Sequence, residues 1–353
     1  MSLHDEILEQ PAVARRLLAH RPEVERIAAA LRDRDLDLVL IAARGSSDHA
    51  AIYAQYLFGA FHRLPVALAA PALTSVYGVT PKLSRALVLG ISQSGRSPDV
   101  VGVLADARAQ GAATVAITND PASDLGRAAE WVIDISAGAE RAVAATKTYS
   151  SSLLAVAMLA AAMGGGRPEA LGGDDAARRA ALDALPAAME AALTGEADVE
   201  AAAVARTGLE RCIVLGRGFE YATAREWALK LKELAQVKAD PYSAADFQHG
   251  PMALVEPGYP VLAVAPTGAT LPGMRELLER LRDQHRVDLV IISDDPAVRA
   301  IGASGLAIPA GVADWLTPLV SVLPAQLFAY HTTRALGLDT EQPRWISKVT
   351  LTH

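Results

Sequence analysis

Cysteine is almost missing from this chain: one residue, Cys212, stands among 353. No disulfide can therefore form within it. The thiol lies in the apolar run Arg211-Cys212-Ile213-Val214-Leu215, where a lone cysteine behaves as a small core residue. That fits a reducing cytosol. Aromatic residues are also scarce, at 5%, and alanine fills the helical stretches. Basic residues are not in excess, and the formal charge is −7. A nucleic-acid surface needs a basic footprint, so that class of partner is not expected. An anionic small ligand stays open, because a phosphate needs only a local positive pocket. Long apolar runs are missing as well: Leu153 to Met163 is too short to span a bilayer. The start, Met1-Ser2-Leu3-His4-Asp5-Glu6, lacks the basic-then-apolar order of a secretory signal. A cytoplasmic protein with no membrane partner is the expectation.

What is present suits a globular protein of two domains. Hydrophobic residues make up 51% and charged residues 21%, ample for buried cores. Short apolar runs alternate with amphipathic ones. Asp37–Ala43, the run from Ala86, Ala113–Thr118 and Trp131–Ile135 read as buried strands, with a helix from about Asp48 to Phe61. Gly164-Gly165-Gly166-Arg167-Pro168 stops a helix and opens a linker. Polar, alanine-rich sequence follows to about Ala205. The alternation then restarts at Cys212–Leu215, Val261–Ala265, Leu289–Ile292 and Leu306–Ile308, and a long helix runs from about Asp314 to Leu336. Strands alternating with helices predict an α/β fold of parallel βαβ units, twice over.

In an open parallel sheet, ligands sit beyond the carboxyl ends of strands, where loops enter helices. Helix N-termini there offer free N–H groups and partial positive charge to an anion. Ser92-Gln93-Ser94-Gly95-Arg96-Ser97 supplies small residues and hydroxyls at such a strand end, and Pro98 suits the first turn of the next helix. For a single serine, a turn or an N-cap at Ser97 is the better reading. For the whole run, a phosphate cradle is. Gly45-Ser46-Ser47 is a weaker second instance. Gly216-Arg217-Gly218 follows a strand too, but Tyr221 stands where a dinucleotide loop has its third glycine, so a nicotinamide cofactor is discounted. No His, Cys or carboxylate cluster has metal-ligand spacing.

Glu226, Lys230 and Glu233 fall at i, i+4 and i+7 of a strong helix former, hence on one face. Alone they read as a solvated face with a Glu–Lys pair worth a few tenths of a kcal/mol. His249, before Gly250-Pro251, lies on a turn, and a loop histidine titrating near neutrality suits proton transfer. A hydrogen-bonded structural histidine is an equal reading. Lys348, amid the apolar residues of Trp345-Ile346-Ser347-Lys348-Val349, is either solvated or held in a site to form an imine with a carbonyl.

Together these pieces resemble the sugar-isomerase (SIS) family with two tandem SIS domains, and in particular the isomerase half of glutamine–fructose-6-phosphate amidotransferases. The matches run in the family's order over nearly the whole chain: Glu6-Ile7-Leu8-Glu9-Gln10-Pro11, Gly45-Ser46-Ser47-Asp48-His49-Ala50, Ser92-Gln93-Ser94-Gly95, Val143-Ala144-Ala145-Thr146-Lys147, Leu215-Gly216-Arg217-Gly218, the Glu226–Glu233 helix, Gln248-His249-Gly250-Pro251, and Gln342-Pro343-Arg344 leading to Lys348. The resemblance implies two parallel-sheet αβα sandwiches of flavodoxin type. The first would span 21–165 after an N-terminal segment 1–20. The second would span 201–338 after a linker and helical region 166–200, with a tail 339–353 carrying the active-site lysine.

It also implies roles. Ser47, Ser92, Gln93, Ser94, Gly95 and Ser97 would hold the sugar phosphate, and Val143 and Ala145 would line the sugar site, Ala145 replacing the serine common in amidotransferases. His249 would open the ring, reaching in from the other subunit of a homodimer. Glu233 would shuttle a proton between C1 and C2, Glu226 and Lys230 would shape the site around it, and Lys348 would form the imine. No metal or redox cofactor is needed. Two departures matter. An amidotransferase of this kind needs an N-terminal cysteine, and Met1-Ser2 stand here. The loop continues Arg96-Ser97-Pro98-Asp99, as in stand-alone deaminase and ketose-isomerase relatives. The expected activity is isomerising deamination of glucosamine 6-phosphate to fructose 6-phosphate and ammonia. Alternatives are an isomerase or deaminase of galactosamine or tagatose 6-phosphate, a fructosamine 6-phosphate deglycase, or a non-catalytic sugar-phosphate sensor.

Overall fold

A computed structural model of the chain describes residues 2–164 and 173–348. It contains two five-stranded sheets, and every strand pair in both is parallel. The first sheet comprises β1 (Leu38–Ala43), β2 (Val66–Leu68), β3 (Ala86–Ile91), β4 (Ala113–Thr118) and β5 (Trp131–Asp134), in the order β2-β1-β3-β4-β5. The second comprises β6 (Arg211–Gly216), β7 (Lys238–Ser243), β8 (Pro260–Val264), β9 (Asp288–Ser293) and β10 (Ser304–Ala307), in the order β10-β9-β8-β6-β7. Numbered within its own sheet, each runs 2-1-3-4-5. The expected fold, an α/β tandem of flavodoxin-type sheets, is what the chain adopts.

Burial explains which strands the sequence announces. All six residues of β3 and all six of β4 are buried, because helices cover both faces of a central parallel strand. In the first sheet Val88, Ala116, Leu104 and Leu125 belong to one apolar cluster. In the second, Ile213, Val261, Ile291, Leu278 and Phe247 do the same. Two strands lie outside the apolar runs: β2 is mostly exposed, and β7 reads Lys-Ala-Asp-Pro-Tyr-Ser. Both are edge strands, where proline and charge are tolerated.

Neither compact unit is a continuous stretch. One comprises 1–11, 141–146 and 184–346; the other comprises 12–140, 147–183 and 347–353. Most of the glycine-rich linker reading, from Gly165 onward, lies outside the described residues, as does the tail beyond Lys348. Within the region 166–200 the chain forms the helix Asp175–Leu193 and enters the helix Glu196–Val204. Among the described residues, no helix is long and apolar enough to cross a membrane.

Candidate functional site

In a 2-1-3-4-5 sheet the chain reverses direction across the sheet between strands 1 and 3, and the loops leaving them frame a crevice. In the first sheet Ala43 pairs with Ile91, so both loops depart at one level. The loop after β1 passes through Gly45, at φ +57°, into the helix Ser46–His62, with Ser47 half-buried in its first turn. The loop after β3 carries Ser92, Gln93, Ser94, Gly95 and Ser97 into the helix Pro98–Ala109. An ion pair ties the two loops: Arg44 donates to the buried Asp99 carboxylate through Nε (2.9 Å) and Nη2 (2.7 Å).

Inside the second loop, the Gly95 N–H donates to Ser92 Oγ (3.2 Å) and the Arg96 N–H to Ser94 Oγ (3.4 Å). The Gln93 carbonyl accepts from the Asn119 N–H (3.1 Å) and Thr118 Oγ1 (3.3 Å). These bonds hold the loop down on the end of β4. Gly95 has no substitute there. Its φ is +62°, and a Cβ would lie 2.0 Å from Ser123 Oγ. Ser97 stands at the N-cap position, yet its side chain makes no capping bond. The capping role that a single serine would suggest is not realised, and the hydroxyl is not used to close the helix.

Glu226, Lys230 and Glu233 lie on the helix Glu220–Ala235 of the other unit. Glu226 and Lys230 are buried, at 0% and 1% exposure, so the solvated-face reading of this helix does not hold. The Lys230 Nζ sits 3.3 Å from Glu226 and 2.5 Å from Glu233. Burial alone would pull the lysine's pKa down. The Glu226 and Glu233 carboxylates more than reverse this, and it lies above the usual lysine value. A fixed ammonium is thus caged between two carboxylates. Of the three side chains only Glu233 reaches the surface, at 23% exposure. Its carboxylate is oriented by a charge that cannot move away.

His249 lies on an exposed turn after the short helix Ala244–Phe247, and its N–H bonds the Asp246 carbonyl (3.0 Å). Val143 and Ala145 are half-buried in the segment 141–146, which belongs to the same unit as Glu233. That segment is held by Glu6, whose fully buried carboxylate accepts from the N–H groups of Arg141 (2.5 Å) and Ala142 (3.2 Å). Lys348 belongs to the unit of the serine loop, where its Nζ meets Glu140 at 2.5 Å. Glu6 was legible only as part of a longer match, and Glu140 gave no signal. Its partners are fixed by tertiary structure. Among the described residues, no group of three or more His, Cys, Asp or Glu is gathered in a way that would hold a metal ion.

Comparison with known proteins places the chain in a family. The SIS domain family model matches residues 34–162 and again 209–335. An isomerizing glutamine–fructose-6-phosphate aminotransferase of Bradyrhizobium diazoefficiens is 33% identical over 97% of this chain and 57% of its own length. One from Gloeobacter violaceus is 35% identical over 97% and 57%. The chain thus spans a little over half the length of these curated relatives. Among solved structures, a provisionally assigned phosphosugar isomerase from Silicibacter pomeroyi superposes with a TM-score of 0.83 at 34% identity, covering 96% of this chain and 100% of that one. The C-terminal domain of a glucosamine–fructose-6-phosphate aminotransferase from Francisella tularensis gives 0.85 at 26% identity, covering 97% and 98%. With two matched domains, two sheets of one topology and the serine loop at the first switch point, the chain belongs to the SIS domain family as a tandem pair.

Proposed function

We propose that this chain is a sugar-phosphate enzyme that isomerises and deaminates glucosamine 6-phosphate, giving fructose 6-phosphate and ammonia. The observation that carries the reading is Glu233, a partly exposed carboxylate oriented by the buried Lys230 ammonium. A carboxylate fixed in this way suits the transfer of a proton between adjacent carbons, which is the demanding step of an aldose–ketose shift. The hydroxyl-rich loop 92–97, with Ser47, supports a phosphate ligand. The aminotransferase relatives support a hexose phosphate bearing nitrogen.

Each residue then has a task. Ser47, Ser92, Gln93, Ser94 and Ser97, on the backbone bend that Gly95 allows, grip the phosphate. Val143 and Ala145 line the sugar. His249, supplied by a second copy of the chain, opens the ring. Glu233 takes the proton from C2 of the open-chain ammonium sugar and delivers it to C1 while a proton passes from the sugar nitrogen to O1, leaving an alcohol at C1 and an iminium at C2. Glu226 and Lys230 keep Glu233 in place. Lys348 adds to C2 and helps expel ammonia. Within these 353 residues the one cysteine is buried in β6, where burial pushes its thiol well above the usual range. It offers no thiolate for taking nitrogen from glutamine.

The test is ammonia release by the purified protein from glucosamine 6-phosphate, with galactosamine 6-phosphate and a fructosamine 6-phosphate alongside. Release from the glucosamine sugar that disappears in Glu233→Gln supports the deaminase. Release from another sugar alone changes the substrate and keeps the mechanism. No release from any of them, with tight sugar-phosphate binding intact, sinks the enzyme reading in favour of a sensor.

A further inference from the structure

Glu140 and Lys348 are far apart in sequence and meet at 2.5 Å. The Glu140 side chain is completely buried, whereas that of Lys348 is 24% exposed. Glu140 also accepts from the Thr148 N–H (3.0 Å) and Thr148 Oγ1 (2.7 Å), in the first turn of the helix Lys147–Ala162. The carboxylate is therefore pinned by the body of its unit, and the tail lysine comes to it. Burying a carboxylate against an ammonium is a poor way to gain stability, because desolvation offsets most of the attraction. A lysine that attacks an electrophilic carbon, however, must first lose a proton. It needs an acceptor within hydrogen-bond reach.

We propose that Glu140 positions Lys348 and accepts its proton when Lys348 attacks the substrate. This deepens the deaminase reading and rests on it. The Lys348 ammonium passes one proton to Glu140, and the freed electron pair forms a bond to C2 of the sugar iminium. C2 then carries two nitrogens. A second proton moves from the lysine nitrogen to the sugar nitrogen. The bond from C2 to the sugar nitrogen breaks, and ammonia leaves, carrying away the proton held by Glu140. C2 remains doubly bonded to the protonated lysine nitrogen. Water adds there, and breaking of that bond gives the C2 carbonyl and returns Lys348 as an ammonium.

Sodium borohydride, added during turnover of glucosamine 6-phosphate, reduces such an imine to a stable adduct that peptide mass spectrometry locates. The expected adduct is on Lys348. In Glu140→Gln, which retains an acceptor for Thr148, trapped adduct and kcat both fall by about tenfold or more, while KM stays within about twofold because the serine loop is untouched. If the glutamine variant does not fold, judged by its melting transition, Glu140→Asp carries the test. Its carboxylate is drawn back from Lys348, and adduct and kcat still fall by about fivefold. Undiminished trapping and kcat in a folded Glu140 variant would overturn the proposal. So would turnover by the unchanged protein with no adduct on Lys348, an outcome that leaves the deaminase itself standing. Absence of turnover in the unchanged protein removes both together.

Discussion

At the switch point of the first sheet, the loop after β3 is surrounded by hydroxyl groups: Ser92 and Ser94 within it, Thr118 and Ser123 beside Gly95. At the corresponding point of the second sheet, the loop after β8 is surrounded by carboxylates. Asp294 accepts from the Thr267 N–H (2.6 Å) and Asp314 from the Ala269 N–H (3.1 Å). A Cβ on Gly268 would lie 2.4 Å from the Asp314 carboxylate. Nearby, Glu220 is buried and accepts from Ser321 Oγ (2.7 Å). The Thr267 and Ala269 N–H groups are met by charged acids, which would repel an external anion, whereas the Gly95 and Arg96 N–H groups are met by neutral hydroxyls. Two sheets of one topology thus differ in what they can hold. Topology supplies the place, and a few side chains decide the occupant.

The sharpest way to break this division is to remove the proposed chemistry without touching the serine loop. Glu233→Gln is expected to lower kcat by about 10³ while sugar-phosphate affinity stays unchanged, measured by steady-state kinetics beside calorimetry. Next in size, Gly95→Ala forces a Cβ into Ser123 at a positive φ. Strain and overlap together should destabilise the protein by about 2 kcal/mol or more and abolish phosphate binding, read by denaturant unfolding and titration. Ser94→Ala deletes one hydroxyl at the loop and should raise KM about tenfold with kcat little changed. Its counterpart in the second sheet, Asp314→Asn, should leave KM alone. A rise equal to that of Ser94→Ala would erase the distinction between the two loops.

The smallest effect is a pH dependence. Burial first, partly offset by the hydroxyls of Thr223, Thr317 and Ser321, pushes the Glu220 carboxyl up to about 6. Its folded pKa therefore exceeds the unfolded one. Between about pH 4.5 and 6 the folded state holds the proton more tightly, so stability falls as pH rises through that window and is level above it. Glu220→Gln removes this contribution. The stability difference between pH 5 and pH 7 should shrink by about 1 kcal/mol, measured by chemical denaturation at each pH. An unchanged difference would mean that Glu220 is not held as its burial implies.

The central strands were legible because a strand buried on both faces must be apolar along its whole length, as Ala86–Ile91 and Ala113–Thr118 are. The edge strand Lys238–Ser243 was not, because an edge needs no such run. The serine loop showed itself through composition at a strand end. The state of Lys230 did not. Glu and Lys at a four-residue spacing look the same on a wet helix and a buried one, and only packing contributed by distant parts of the chain separates the two cases. Gly216-Arg217-Gly218, discounted as a dinucleotide loop for want of its third glycine, has a structural reason: a Cβ on Gly216 would lie 2.2 Å from the Glu220 carbonyl oxygen. Close backbone approach accounts for that glycine.

The division of the chain into interleaved stretches bears on how it is made. The helix Leu3–Leu8 buries Leu3, Glu6 and Ile7, and the Leu3 N–H is accepted by Glu341 (3.1 Å). At about 5–20 residues per second, a ribosome needs tens of seconds to travel from one of these partners to the other. Throughout that interval the serine-loop sheet can close on strands already synthesised. The segment 1–11 meanwhile keeps its apolar residues uncovered, waiting for the sheet of Glu233 to emerge. Nascent chains should therefore present this short segment to a chaperone long after the neighbouring unit has become protease-resistant.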